Sequence, residues 1–366
     1  MAIIVDTAHS LNMPAERISR FYKKNWPKNI ALTGHEFYQW QFLETPCADK
    51  KDHNIIAFDE SADEIAGVMG VSPREFFLEG ESLRGGELTT WIVKEEYKKT
   101  SAASKIIKFI QENYEIVVGM GISDDAFGIY LKSGFRYSYA IPRFVKVLDF
   151  DVVSSIFPIN NLAKKVRLRR ISEEKKYSYI AKLDWDSRLI DQSFGIAQKQ
   201  FNMFARGYTD ILWRYKSHPS FVYHCAWISR PEDSINNIFI AIREEASIAG
   251  VKIAHVTDCV GSPSVMLAAI QYIEDYCEKN GVHVVDFSCT SELINHFFVA
   301  KGWFSVLNDR YFEFPHLFHP IEYRKPASTS LIYWSKNNLV DLCDFTKLYI
   351  TKQDCDFDRP VPMVQK

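Results

Sequence analysis

Between Trp91 and Lys105 the chain reads Trp-Ile-Val-Lys-Glu-Glu-Tyr-Lys-Lys-Thr-Ser-Ala-Ala-Ser-Lys. The apolar strand residues Trp91, Ile92 and Val93 lead through a short polar loop into the start of an amphipathic helix. A helix begins with backbone N–H groups that have no intrahelical acceptor, and its dipole is positive there, so such a turn suits a pyrophosphate. Small side chains at Ser101, Ala102 and Ala103, flanked by Thr100 and Ser104, let phosphate oxygens approach the backbone, and Lys98 adds charge. The plainer reading of the same residues is an ordinary helix start.

Other constellations point less far. Trp213-Arg-Tyr215 joins two rings to a guanidinium, a set that stacks a nucleobase and clasps a diphosphate or else sits in a core. Gly119-Met-Gly121 lacks the remainder of a dinucleotide fingerprint. His316-Leu-Phe-His319 has neither zinc-protease spacing nor its glutamate. Asp354, Asp356 and Asp358 alternate near the C-terminus without the glycine and glutamate of a calcium loop, and read first as a docked structural tail. No metal site is expected.

The bulk properties narrow the function classes. The 366 residues suggest two domains, and 47% hydrophobic content supplies ordinary cores. A net charge of −2, from 44 basic and 46 acidic residues, offers no electrostatic footprint for nucleic acid or an anionic membrane. The seven cysteines are scattered and contain no CxxC pair, which argues against a disulfide framework. Without a basic, apolar leader pattern or a membrane-length apolar run, the chain is expected to be cytoplasmic. Composition and spacing are silent on the oligomeric state.

The elements that must position these residues recur. Strands are expected at Asn54–Phe58, Glu64–Val71 and Leu88–Val93, then a helix over Ser101–Tyr114, whose Ala103, Ile106, Ile107, Ile110 and Tyr114 share one face. A strand at Glu115–Val118, a helix ending at Gly134, and strands at Phe135–Tyr139 and Phe144–Leu148 close the unit. The same order returns with strands at Phe221–Ile228, Asn237–Arg243 and Lys252–Thr257, a helix at Val265–Cys277, a strand at Val282–Phe287 and a helix from Ser291 to Gly302. Trp40-Gln-Phe precedes the first copy and Trp213-Arg-Tyr the second. The pattern predicts an α/β fold with mixed sheets, duplicated as residues 1–155 and 156–366 around a linker containing Asn160-Asn161 and Lys164-Lys165.

The segment from Glu87 to Phe135 resembles the GNAT (Gcn5-related N-acetyltransferase) family. Lys98, Ser101 and Ala103 stand where its pyrophosphate loop has Arg/Gln-x-x-Gly-x-Gly/Ala, both glycines being replaced. Tyr130, Gly134 and Phe135 match its Tyr-x-x-x-Gly-Phe helix end. The resemblance implies two tandem GNAT-like domains and acyl-CoA as co-substrate, with no tightly bound cofactor. It makes Tyr130 the acid that protonates the CoA thiolate, or otherwise a packed tyrosine, and Glu87 the water-linked base, or otherwise a hairpin-end charge. The second copy has Phe298 at the Tyr130 position and Pro263 in its loop, although Gly261-Ser262 there is also suited to phosphate. CoA is therefore expected in the first domain, with the second helping to hold the acceptor. The resemblance extends to bacterial enzymes that acylate a dTDP-linked 3-amino-3,6-dideoxyhexose, using acetyl or 3-hydroxybutyryl donors, with Trp40, Trp213, Arg214 and Tyr215 as acceptor walls. Aminoacyl or peptide N-acyl transfer, and a non-catalytic GNAT-fold binding protein, are the alternatives.

Overall fold

Two mixed sheets, each carrying helices, divide the chain. The computed structural model describes residues 3–26, 29–155, 175–246, 250–308, 314–315, 328–337, 339–354 and 359–360. Asn160-Asn161, Lys164-Lys165, His316-Leu-Phe-His319, Asp356 and Asp358 lie outside them.

In the first half, β1 (Ile3–Thr7), β2 (Ile55–Asp59), β3 (Glu64–Leu78) and β4 (Glu81–Val93) form an antiparallel run, followed by β5 (Ile116–Met120) parallel to β4 and by β6 (Arg136–Ser138). Helices α1 (Ala15–Asn25) and α2 (His35–Phe42) cover one face, and α3 (Ala102–Asn113) and α4 (Asp124–Lys132) the other. The 3/4 spacing of α3 buries Ile106, Ile107 and Ile110 almost completely, each contributing roughly 1.5–3 kcal/mol. Strand β3 is much longer than its apolar run suggests, because its far end pairs with β9 (Met203–Phe204) from the second half.

After β7 (Arg143–Val147) comes a short helix, α5 (Phe150–Ser154), whose start is capped by Asp149. The second half then contains β8 (Ile180–Lys182), α6 (Ser187–Ala197), α7 (Tyr208–Ile211), β10 (Tyr223–Arg230), β11 (Asp233–Ala246), β12 (Lys252–Gly261), α8 (Met266–Lys279), β13 (Val284–Ser288), α9 (Glu292–Ala300), β14 (Phe304–Ser305) and β15 (Leu331–Ser335).

The last long strand of each half sits in the other half's sheet. Strand β15 lies between β5 and β6, with Leu331 opposite Met120 and Ser335 opposite Ile116. Strand β7, expected to close the first unit, instead lies between β13 and β14, with Phe144 opposite Phe287. A strand pattern records which face is apolar but not which open edge accepts it, so the exchange could not be read from periodicity. Neither sheet is complete without a strand from the other half.

The two halves also meet at a pair of matching tryptophans. Trp40 in α2 and Trp213, in the wide turn Leu212–Lys216 after α7, stack at 5.0 Å and 19°. Each indole N–H donates to the other's backbone carbonyl, Trp40 to Trp213 at 3.0 Å and Trp213 to Trp40 at 2.9 Å. Corresponding residues of the two copies thus face each other across a local two-fold. Among the described residues, no helix is long and apolar enough to cross a membrane.

Candidate active site

Strands β4 and β5 pair in parallel from Gly85–Ile116 to Leu88–Gly119 and then part. Beyond Leu88, β4 keeps its partner β3, with Trp91 opposite Met69 and Val93 opposite Gly67. Its other edge has lost β5, which turns to Ser330: Gly121 N–H donates to the Ser330 carbonyl at 3.0 Å. Two residues, Thr89 and Thr90, stand opposite the single Gly70 in a bulge. Gly70 is required there, because a Cβ would lie 2.1 Å from Thr89 Oγ1. The bulge re-aims Trp91 towards α4, where its ring meets Tyr130 edge-on at 5.1 Å.

The loop after β4 delivers α3 beside this opening. Thr100 Oγ1 accepts from Ala102 N–H at 3.2 Å, and helix geometry leaves the next amides, of Ala103 and Ser104, without an intrahelical acceptor. Ser101, Ser104, Lys98 and Lys99 are exposed. The Lys98 ammonium lies 2.8 Å from Glu95 and 3.4 Å from Asp125; hydrogen bonds to these carboxylates push its pKa up. The loop expected to take an anion, with Trp91, Ile92 and Val93 leading into it, lies beside the parted strands.

Tyr130 is 3% exposed and packs against Trp91 and Phe135, the latter at 4.9 Å. Its hydroxyl reaches the Met69 sulfur at 4.0 Å, and burial drives the phenol well above the ordinary tyrosine range. Glu87 lies on the opposite face of the sheet, since successive strand residues alternate. It is buried, with its carboxylate 3.4 Å from Arg74 Nη1. Arg74 also donates to the Ala205 carbonyl at 2.9 Å, and Asp210 stands 3.9 Å from its Nε. Its guanidinium lies over Phe204 and Trp213 at 5.2 and 5.5 Å. The structure thus separates Tyr130 from Glu87 and ties Glu87 to the second domain.

The second domain repeats the opening and closes it. Strands β12 and β13 pair from Ile253–Val284 to Val256–Phe287 and then part. The segment Leu348–Asp354 fills the gap. Thr351 bridges to Cys289, and Thr290 N–H donates to the Ile350 carbonyl at 3.1 Å. Tyr349 takes the freed edge of β12, its hydroxyl accepting from Cys259 N–H at 3.1 Å and lying 2.8 Å from Asp258 Oδ1. Arg206 bonds Asp258 at 2.6 Å and Asp354 at 2.7 Å, all three fully buried. Gln353, with its amide oxygen turned to the guanidiniums, accepts from Arg74 at 3.1 Å and Arg206 at 3.3 Å. Lys352 pairs with Asp286, which also meets His255 Nδ1 at 2.7 Å and Arg143 at 2.9 Å. Burial alone would raise the Asp286 carboxyl, but Lys352, His255 and Arg143 outweigh it and hold it well below the usual range.

The loop of this copy is likewise committed. Ser262 N–H donates to the Asn237 carbonyl at 3.0 Å, and a Cβ on Gly261 would lie 2.2 Å from that same oxygen. Gly261-Ser262, expected as a possible phosphate turn, is instead a close backbone crossing. Phe298 stacks on Phe287 at 4.4 Å and meets Trp303 edge-on at 4.9 Å.

The expected acceptor walls are all interior. Trp40, Trp213, Arg214 and Tyr215 are 1%, 6%, 2% and 3% exposed. Arg214 lies over the Trp40 ring at 5.4 Å, and Tyr215 packs on Tyr223 and Phe239. Nearby, a cavity of about 360 Å³ opens between the start of α2, Pro219-Ser220 and Pro360. The adjoining Arg359 donates to Thr90 Oγ1 at 3.0 Å, bringing the C-terminal segment to the first opening as well. Sequence reasoning missed Arg74, Arg206, Asp210, Asp258 and Lys352. Their partners lie far away along the chain, and the only local trace was the docked tail expected at Asp354.

No family model matches this chain, and no curated protein sequence does. Solved structures match in shape. A GCN5-related N-acetyltransferase from Anabaena variabilis aligns with TM-score 0.55 and 12% identity, over 92% of this chain and 73% of that one. The N-myristoyltransferase of Saccharomyces cerevisiae, solved with myristoyl-CoA, aligns with TM-score 0.52 and 10% identity, over 90% and 82%. A GCN5-related N-acetyltransferase from Kribbella flavida gives TM-score 0.51 and 10% identity, over 91% and 70%. With its two mixed sheets and these neighbours, the chain has a fold of two tandem GNAT-like domains.

Proposed function

We propose that this chain is an acyl-CoA-dependent N-acyltransferase that binds its donor in the first domain. The observation that carries the reading is the parting of β4 from β5 beyond Leu88, set beside the exposed start of α3. An extended chain bearing amides can add to a free strand edge through backbone hydrogen bonds, and a pyrophosphate suits the helix start. CoA has both parts, joined by its pantetheine arm. Tyr130 then supplies the proton to the departing thiolate while the amine attacks the thioester carbon. Its raised pKa keeps the phenol protonated until that charge develops. Glu87, on the other face, accepts the amine proton through water. The second domain, its own opening filled, contributes the far side of the acceptor space. Trp40, Trp213, Arg214 and Tyr215 act as the joint that fixes the domain angle.

The finer reading is transfer of acetyl or 3-hydroxybutyryl to a dTDP-linked 3-amino-3,6-dideoxyhexose in a cytoplasmic pathway of surface-polysaccharide synthesis. It rests on the sequence resemblance, and the cavity at α2 offers room for such an acceptor. Aminoacyl or peptide N-acyl transfer is the second reading, with which the likeness to the yeast N-myristoyltransferase over 90% of this chain and 82% of that one agrees. Thiol release measured with acetyl-, 3-hydroxybutyryl- and myristoyl-CoA, each against nucleotide-linked amino sugars and amino-terminal peptides, separates them. Acceptor-dependent thiol release with one donor and acceptor class supports the corresponding reading. Absence of CoA binding in calorimetry would overturn the proposal as a whole.

A further inference from the structure

The first opening holds a buried donor that the protein itself does not use. Trp91 Nε1 is buried, and no acceptor lies within hydrogen-bond distance of it among the described residues. A buried N–H left in this way is costly, and such groups are rare enough in folded chains to require an explanation. The indole is held firmly: its ring abuts Tyr130 at 5.1 Å, and its backbone is fixed opposite Met69 by the β3–β4 ladder. The residue is half-buried and stands three positions beyond the last rung that β4 shares with β5. The adjacent Tyr130 hydroxyl is scarcely better served, with a thioether at 4.0 Å. Two buried donors that lack an oxygen acceptor therefore stand side by side at one place. In the second domain the Tyr130 position holds Phe298, which offers no donor, and the Phe135 position holds Trp303, whose Nε1 donates to Glu274 at 2.8 Å.

We infer that the Trp91 indole N–H is a binding donor for a carbonyl oxygen on the acyl-pantetheine arm. This rests on the proposed donor site and adds a side chain to it, where the strand edge alone would offer only backbone. Either the thioester carbonyl or a pantetheine amide carbonyl supplies the acceptor, and CoA itself distinguishes them because it lacks the former. The Tyr130 hydroxyl remains available to the sulfur.

The test is an indole ¹H–¹⁵N spectrum of the full chain, with the Trp91 peak identified by its loss in Trp91→Phe. A downfield shift with acyl-CoA but not CoA assigns the thioester carbonyl, and a shift with both assigns an amide carbonyl. Trp91→Phe should raise KM for acyl-CoA roughly fivefold to tenfold, the scale of one hydrogen bond, with the acceptor KM unchanged. If that variant fails to fold, benzothienylalanine at position 91 keeps the ring shape and removes the N–H. A Trp91 peak that stays in place while calorimetry records CoA binding overturns this inference and leaves the donor site standing. Loss of CoA binding by the unaltered chain overturns both.

Discussion

The two openings differ in what faces their freed strand edges. In the first, β4 parts from β5 beyond Leu88, with an exposed helix start beside it and Tyr130 packed on Trp91. In the second, β12 passes Val256 and meets Tyr349, Thr351 and a buried set of ion pairs. Both begin after four parallel rungs, so the fold provides the opening in either copy. The two differ in the segment laid into the second opening, and on the proposed reading that difference leaves the first for a ligand. The same C-terminal stretch that seals the second opening brings Arg359 to Thr90, and Gln353 connects it to Arg74 and hence to Glu87. The second copy thus contacts the first through this stretch.

Changes inside the sealed opening should cost the most stability. Arg206→Met leaves Asp258 and Asp354 buried and uncompensated, which should destabilise the protein by about 3–5 kcal/mol. Phe298→Ala, a core truncation in the same domain, belongs to the same range of about 3–5 kcal/mol. Urea unfolding checks both, and turnover per folded molecule should remain close to wild type in Phe298→Ala. A loss below about 1 kcal/mol in either would show that the seal is loosely held.

The carboxylates of the two domains should respond to pH in opposite senses. Burial raises Asp52, which accepts from Tyr38, to about 6 from 3.8. The folded form then binds a proton that the unfolded chain does not, so stability is greatest below about pH 4 and falls as pH rises through 6, by about 3 kcal/mol. Asp286 is held low, so its contribution is present above the unfolded value near 3.8 and is lost as pH falls below it. Asp52→Asn should therefore gain stability over wild type at pH 7.5 and little at pH 4. An equal difference at both would contradict the assignment.

In the open copy the expected effects fall on chemistry. Tyr130→Phe should lower turnover by roughly 10²-fold, with folding and CoA affinity nearly unchanged. Full activity would make it a packing residue only. Ala103→Asp places a carboxylate against the phosphates and should weaken CoA by about tenfold, or roughly 1.4 kcal/mol.

Much of this was legible in the chain. The duplicated order of elements and the face of α3 follow from local periodicity and spacing, and the Tyr-x-x-x-Gly-Phe register from the resemblance to GNAT enzymes. The matching Trp40 and Trp213 segments were visible too, but not that the two rings would pair with each other and become buried. The exchange of β7 and β15 was not readable, because edge choice depends on which partner strand is left open. Nor were the ion pairs: Arg206 meets Asp354 across 148 residues, and no short motif encodes that distance. Pro263 and Phe298 did mark the second copy as altered, and Leu348–Asp354 supplies the physical form of that alteration.

The claim that one opening serves a ligand and the other serves the fold reduces to a stoichiometry. Calorimetric titration of CoA into the full chain should give one site per chain. That site should be weakened about tenfold or more by Ala103→Asp and untouched by Ser264→Asp at the exposed start of the corresponding helix segment. Two sites per chain, or binding lost in Ser264→Asp and retained in Ala103→Asp, would contradict it.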